Sequence, residues 1–277
     1  MHLRAVGYSD RGPVRPANED HYGIGPFVEQ AAFTVLALDV ASVTFREYGL
    51  LVAVADGLGG YAGGEVASRV ALETLSALFY GERRAGISTE QFTEQLRHYL
   101  EQTQRALEAV LRRSPEYLDA GTTLAGIALL PPETLVIFHA GDSRVLRAAA
   151  GYVRPLTVDH TVAGADLASG RMSEAEAAAI PQAGLLTRAL GLHGDTRVEI
   201  DATQTWAPGT LFLLGSDGWH GTGRGISRQA IQAAVREGLP VEVLVRRLIG
   251  EAIAADGHDN ATLVVVAIEE DHEQTHG

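Results

Sequence analysis

Short, continuously apolar runs alternate along this chain with stretches of helical periodicity. Residues 31–38, 50–55, 124–130, 134–140, 211–214 and 262–268 are apolar and bounded by turn formers, so they read as buried strands. Pro131-Pro132-Glu133 separates two of them as a hairpin turn would. Val66, Val70, Leu75, Leu78 and Phe79 share one helix face; Phe92, Leu96, Leu100, Leu107 and Leu111 form the stripe of a second helix. Ser88 with Gln91, and Ser173 with Glu176, have capping-box spacing, in which two side chains satisfy the free N–H groups at a helix start. A further helix runs from Ser227 to just before Gly238. Pro240 opens another, with Val243, Leu244 and Leu248 on its apolar side. Two helix pairs set between groups of hairpin-like strands predict an α+β fold.

Composition narrows the function. With 277 residues, 46% of them hydrophobic, the chain can build a large core without a covalent staple. Lys and Arg number 22 against 35 Asp and Glu, a net charge of −13. A nucleic-acid polyanion would meet a repulsive field. There are no cysteines. Disulfides, thiolate zinc sites and a Cys nucleophile are therefore excluded. Residues 1–7 reach Asp10 and Arg11 too soon for a signal-peptide core, and no apolar run approaches the roughly 20 residues that span a bilayer. The expectation is a soluble cytoplasmic protein with no nucleic-acid or membrane partner. No repeat or linker divides the chain, and residues 269–277 read as a polar tail.

The chemistry lies where acids meet apolar runs. Residues 51–55 lead into Asp56-Gly57, residues 136–140 into Gly141-Asp142, and residues 211–214 into Gly215-Ser216-Asp217; Asp259-Asn260 precedes residues 262–268. Antiparallel pairing puts one strand's end beside the next one's beginning, so these acids are expected to gather at one sheet edge. Any single Asp-Gly pair reads as readily as a turn. Repetition favours a shared role, because clustered carboxylates are costly unless cations sit among them. An oxygen-only donor set selects hard ions such as Mg²⁺ or Mn²⁺. Two such ions can acidify a water and screen a phosphoryl group without a covalent intermediate.

The ordered motifs resemble the PPM, or type 2C, family of metal-dependent protein serine/threonine phosphatases, in its bacterial form. They are Ser9-Asp10-Arg11-Gly12 with Arg15 and Asn18-Glu19-Asp20, residues 54–60 and 64–68, Gly121-Thr122-Thr123-Leu124 and residues 141–144. Leu156-Thr157 with Asp159-His160, residues 186–191, Ser216-Asp217-Gly218 and residues 259–262 complete the set. The resemblance implies a four-layer sandwich of two antiparallel sheets flanked by helix pairs. It implies one catalytic domain over residues 1–268, with a flap at residues 161–185. Two Mn²⁺ or Mg²⁺ ions are expected, Asp56 bridging them and Gly57 offering its carbonyl. Asp217 and Asp259 would serve the first ion and Glu19 the second, with Asp20 behind it. Asp142 matches an acid of a third metal site, although it fits a turn equally well. Arg15 matches the phosphate-binding guanidinium. Asp159 and His160 read as structural. The implied partners are phosphorylated proteins made by a serine/threonine kinase, and the implied state is a monomer.

Some segments depart from the pattern. Leu58 stands where some members carry a proton-donating His, so the leaving group would be protonated by water. Residues 39–49 read as an extended hairpin tip and residues 219–225 as a flexible surface loop. In the flap, Met172, Ala177 to Ala179 and Ile180 read as a partly buried short helix. Two other readings remain at this point: a phosphomonoesterase of small metabolites, and an inactive phosphoprotein-binding module. The second would be expected to lose a metal carboxylate, and Asp56, Asp217 and Asp259 are all present.

Overall fold

The computed structural model describes residues 1–59, 63–192 and 194–270. Two six-stranded sheets carry the fold, and neighbouring strands within them are antiparallel. The first runs Tyr152–Pro155, Arg144–Ala149, Leu211–Gly215, Ala261–Glu269, His2–Asp10, Phe33–Asp39. The second runs Glu199–Thr205, Thr134–Ala140, Leu124–Leu130, Leu50–Ala55, His21–Ile24, Phe27–Glu29. Their inner faces share a core that includes Tyr22, Val52, Ile127, Phe212 and Val264.

Helices cover both outer faces. Gly63–Gly81 and Thr89–Leu111 bring Leu75, Phe79, Phe92 and Leu96 onto Leu51, Ala53 and Phe138 of the second sheet. Arg228–Arg236 and Val241–Ala255 bring Ile231, Leu244 and Leu248 onto Val6, Leu213 and Val265 of the first. This is the expected four-layer α+β sandwich. It explains why the central strands are apolar throughout: in Leu50–Ala55 alternate residues face the helices and the opposing sheet, and all six are buried.

Local signals held where they rest on local hydrogen bonds. Ser88 and Ser173 close capping boxes, and Ser227 accepts from the Ala230 N–H. Residues 131–133 turn one strand back on the next. Four readings need correction. Residues 39–49 hold a helix, Val43–Tyr48, capped by Ser42; its Phe45 packs edge-on to Trp206. Phe33–Asp39 is a half-exposed edge strand rather than a buried one, because it has a partner on one side only. Val243 is 48% exposed, and in the flap Ala177 is buried whereas Ile180 points outward. Gly60 of the second motif and residues 271–277 of the tail lie outside the described residues. Among the described residues, no helix is long and apolar enough to cross a membrane.

One contact between the sheets requires glycine. The Tyr22 ring lies against Gly7, where an added Cβ would stand 2.3 Å from a ring carbon. The ring is held in place because its hydroxyl donates to the Ala32 carbonyl at 2.6 Å. Gly7→Ala is expected to lower unfolding free energy by about 1–3 kcal/mol, the usual cost of overpacking. Urea unfolding would reveal it; an unaltered midpoint would show that the ring can move aside.

Candidate metal and phosphate site

Strand register assembles the site. In the second sheet His21 pairs with Ala55, Val54 with Ala125, and Leu124 with Ala140. Glu19, Asp20, Asp56 and Asp142 therefore emerge at one end. In the first sheet Arg144 pairs with Gly215, Gly215 with Leu263, and Asp10 with Ala261. Asp217 and Asp259 emerge at the same end of the sandwich. The acids thus converge from two sheets, not from the edge of one, because both inner faces terminate together. Arg15, Glu19, Asp56, Gly57, Asp142, Asp217 and Asp259 all line one cavity of about 260 Å³.

Backbone and hydroxyl contacts hold these acids in place. The Asp56 N–H donates to Thr123 Oγ1 at 3.0 Å, and Thr122 Oγ1 donates to the Asp56 carbonyl at 2.9 Å. Gly57 sits so close to Gly64 that a Cβ would lie 2.3 Å from its carbonyl oxygen. Asn260 stitches the N-terminal loop to the last strand. Its Oδ1 accepts from the Glu19 N–H at 2.8 Å and its Nδ2 donates to the Arg11 and Ala17 carbonyls. Asp20 lies behind the cavity, where one carboxylate oxygen accepts from Thr262 Oγ1 at 2.6 Å and Ser216 Oγ at 2.7 Å. The other oxygen, Oδ1, is buried without a hydrogen-bond partner.

The electrostatics demand positive charge. Burial, then the neighbouring carboxylates of Asp20, Asp217 and Asp142, drives Asp56 well above the ordinary carboxyl range. Burial, with Asp217 and Asp159 nearby, pushes Asp142 up to about 8. Burial also lifts Asp20 to about 7 against the hydrogen bonds from Thr262 and Ser216. Asp217 and Glu19 are raised by burial too, although Arg224 and Arg15 respectively oppose the shift. Arg15 Nη2 donates to Asp259 Oδ2 at 2.7 Å, and its Nε to the His258 carbonyl at 3.3 Å. An orphaned carboxylate oxygen, an all-oxygen donor set and mutually repelling acids fit hard divalent cations.

Asp159 and His160 make structural contacts. Asp159 takes both forks of Arg144, at 2.8 and 2.6 Å. His160 Nδ1 accepts from the Gly141 N–H, which fixes the turn that carries Asp142. His160 also approaches His139 and Glu199 closely enough to resemble a ligand cluster. However, the two rings stack at 4.3 Å and 13°. Imidazole lone pairs lie in the ring plane, so two near-parallel rings cannot aim at one ion. Arg188 Nη1 occupies the space beside His160 Nε2 at 3.0 Å.

The 219–225 reading is also corrected. Trp219 is completely buried, and the segment folds back through paired bridges His220–Gly225 and Gly221–Arg224. This brings Arg224 Nη1 to 2.8 Å from Asp259 Oδ2 and 3.2 Å from Asp217 Oδ2. No motif marks Arg224 in the sequence; only its place a few residues after Asp217 hints at it.

A family profile described as "Protein phosphatase 2C" matches residues 39–239. The chain belongs to the protein phosphatase 2C family. It is thus a PPM-type, metal-dependent protein serine/threonine phosphatase of the kind found in bacteria. Protein phosphatase PhpP of Streptococcus pneumoniae is 27% identical over 263 residues, covering 95% of this chain and 96% of its own. The PPM Ser-Thr phosphatase MsPP from Mycobacterium smegmatis, solved with cacodylate, is 31% identical with a TM-score of 0.71, covering 95% of this chain and 97% of its own. The catalytic domain of the phosphatase PstP, solved with two manganese ions, is 27% identical with a TM-score of 0.73, covering 98% of this chain and 100% of its own.

Proposed function

We propose that residues 1–268 form one catalytic domain that hydrolyses phosphoserine and phosphothreonine in proteins, acting as a cytoplasmic monomer that reverses a serine/threonine kinase. One observation carries this reading: Arg15, Glu19, Asp56, Gly57, Asp142, Asp217 and Asp259, scattered over the sequence, line a single cavity. Asp56, the Gly57 carbonyl, Asp217, Asp259 and Glu19 would hold two Mn²⁺ or Mg²⁺ ions, as the PstP domain holds two manganese ions. Asp142 would serve a third, and Asp20 would orient this set from behind. Bound there, such ions supply positive charge to the phosphoryl oxygens and an acidified water as nucleophile.

The chain's own groups do the rest. Without cations, the acids would repel a phosphate dianion. Arg15 reaches the cavity from a half-exposed position, and its planar fork matches two phosphoryl oxygens. The binding of cacodylate, a tetrahedral oxyanion, by MsPP supports an oxyanion site of this kind. Leu58 lines the cavity where a proton donor could stand, so the departing alkoxide takes its proton from water. An open cavity at the end of a sandwich admits a phosphorylated side chain that projects from a protein surface.

Purified protein is expected to turn over phosphoserine and phosphothreonine peptides with Mn²⁺ and to stop when a chelator is added. Saturating Mn²⁺ should raise the melting temperature by about 5–10 °C, the effect of roughly 3 kcal/mol of ligand binding to the folded state. Turnover that survives the chelator would sink the metal assignment. Activity confined to phosphorylated metabolites would sink the substrate assignment.

A further inference from the structure

Resting on that reading, we propose that Arg224 is a second phosphate-binding guanidinium, which acts on the substrate beside its neighbour Arg15. Both side chains donate to the same atom, Asp259 Oδ2, Arg15 at 2.7 Å and Arg224 at 2.8 Å. Two guanidinium groups that share one oxygen stand close enough to share one oxyanion.

Arg224 is equipped for this. A guanidinium has five N–H donors in a fixed fork. Among the described hydrogen bonds only its Nη1 is engaged, on Asp217 and Asp259. About half of the side chain is exposed, and it lines the cavity. Its position is built rather than incidental. Arg144 Nη1 donates to the His220 carbonyl at 3.1 Å and its Nη2 to Thr222 Oγ1 at 2.9 Å. The Ile226 N–H donates to the Trp219 carbonyl, and Trp219 is anchored in the core. A turn held in this way fixes the backbone that carries Arg224, so less freedom is lost there on binding.

Charge sets the sequence of events. While the carboxylates lack cations, both arginines are drawn to Asp259. With cations held by those carboxylates, the pull on Arg224 would be weaker and a phosphate dianion would be its strongest available partner. A phosphomonoester would then lie between two forks. This explains how a chain with net charge −13 can attract an anion locally.

The test compares Arg224→Gln, Arg224→Lys and Arg228→Gln as Mn²⁺-loaded proteins. Arg228 belongs to the same segment and lines only the neighbouring groove. For Arg224→Gln, KM for an aryl phosphate should rise about tenfold, the worth of one charge-assisted contact. The affinity for inorganic phosphate, measured by calorimetry, should fall by a similar factor. The fall in kcat should be smaller, Arg224→Lys should be intermediate, and Arg228→Gln should match wild type. Unaltered KM and phosphate affinity in Arg224→Gln would overturn the inference. So would a lower half-saturating Mn²⁺ concentration without a KM change, which would make Arg224 a stand-in for the cation instead. If wild type itself fails to hydrolyse phosphoesters, the functional reading fails; an active wild type with an indifferent Arg224 removes this inference alone.

Discussion

Asp56→Asn should lower kcat/KM for phosphopeptides by about a thousandfold, on the order of 4 kcal/mol of transition-state stabilisation, while raising the stability of the metal-free protein. The two effects have one cause. Asp56 is surrounded by Asp20, Asp217, Asp142 and Asp259, and its own ionisation is opposed by all of them. With cations bound, that density of charge holds the catalytic centre together. Without them, it is repulsion the fold must overcome. Asn keeps the shape and removes the charge. Steady-state kinetics with Mn²⁺ and thermal melts in chelator would measure both effects. A metal-free melting temperature higher by about 3 °C corresponds to roughly 1 kcal/mol. Near-normal turnover would remove Asp56 from the centre, and a less stable metal-free variant would show that its charge is compensated by some other group.

The metal-free protein should lose stability as the pH rises from 6.5 to 8.5. Asp20 and Asp142 have folded pKa values of about 7 and about 8, raised above an ordinary value of 3.8; Asp56 is raised as well. A raised carboxyl keeps its proton in the folded state after the unfolded chain has released it. The folded state therefore binds more protons, and stability falls as pH climbs through the folded values. Between pH 6.5 and 8.5 the loss should be on the order of 3 kcal/mol, or about 8 °C. Below this window two effects oppose each other, because the raised carboxyls still favour the protonated fold while buried histidines resist protonation. Burial depresses His21 and His220 to about 4 from 6.5, so the unfolded chain takes up protons first as the solution is acidified. Saturating Mn²⁺ should flatten the alkaline limb, because cations bind the ionised carboxylates. Melting curves across pH 5–9, with and without Mn²⁺, decide it; a metal-free curve that rises through pH 8 would contradict the clustered-acid picture.

The Arg224 turn shows what local reading misses. Its glycines and polar residues look like a surface loop, and nothing nearby in the sequence marks Trp219 as an anchor. The residue becomes functional only because Asp259, 35 positions away, pairs with it. Residues 39–49 conceal their helix for the same reason. Six residues are too few to show helical periodicity, and Phe45 finds its reason in Trp206. The edge strand Phe33–Asp39 looked buried because an apolar run does not say how many neighbours it will have.

From its order of residues alone, the chain specified its central strands, its long helices and their caps, because these rest on period and on bonds between residues three or four apart. It also marked four of the acids that line the cavity, Asp56, Asp142, Asp217 and Asp259, since each stands at the end or beginning of an apolar run. Which acids meet, and from which sheet, was settled only by long-range pairing: the register of two sheets brought Asp56 and Asp142 to the same end as Asp217 and Asp259. Arg15 is marked by its motif, but its meeting with Arg224 on Asp259 belongs to that second class, because a contact between distant loops leaves no periodic trace in sequence.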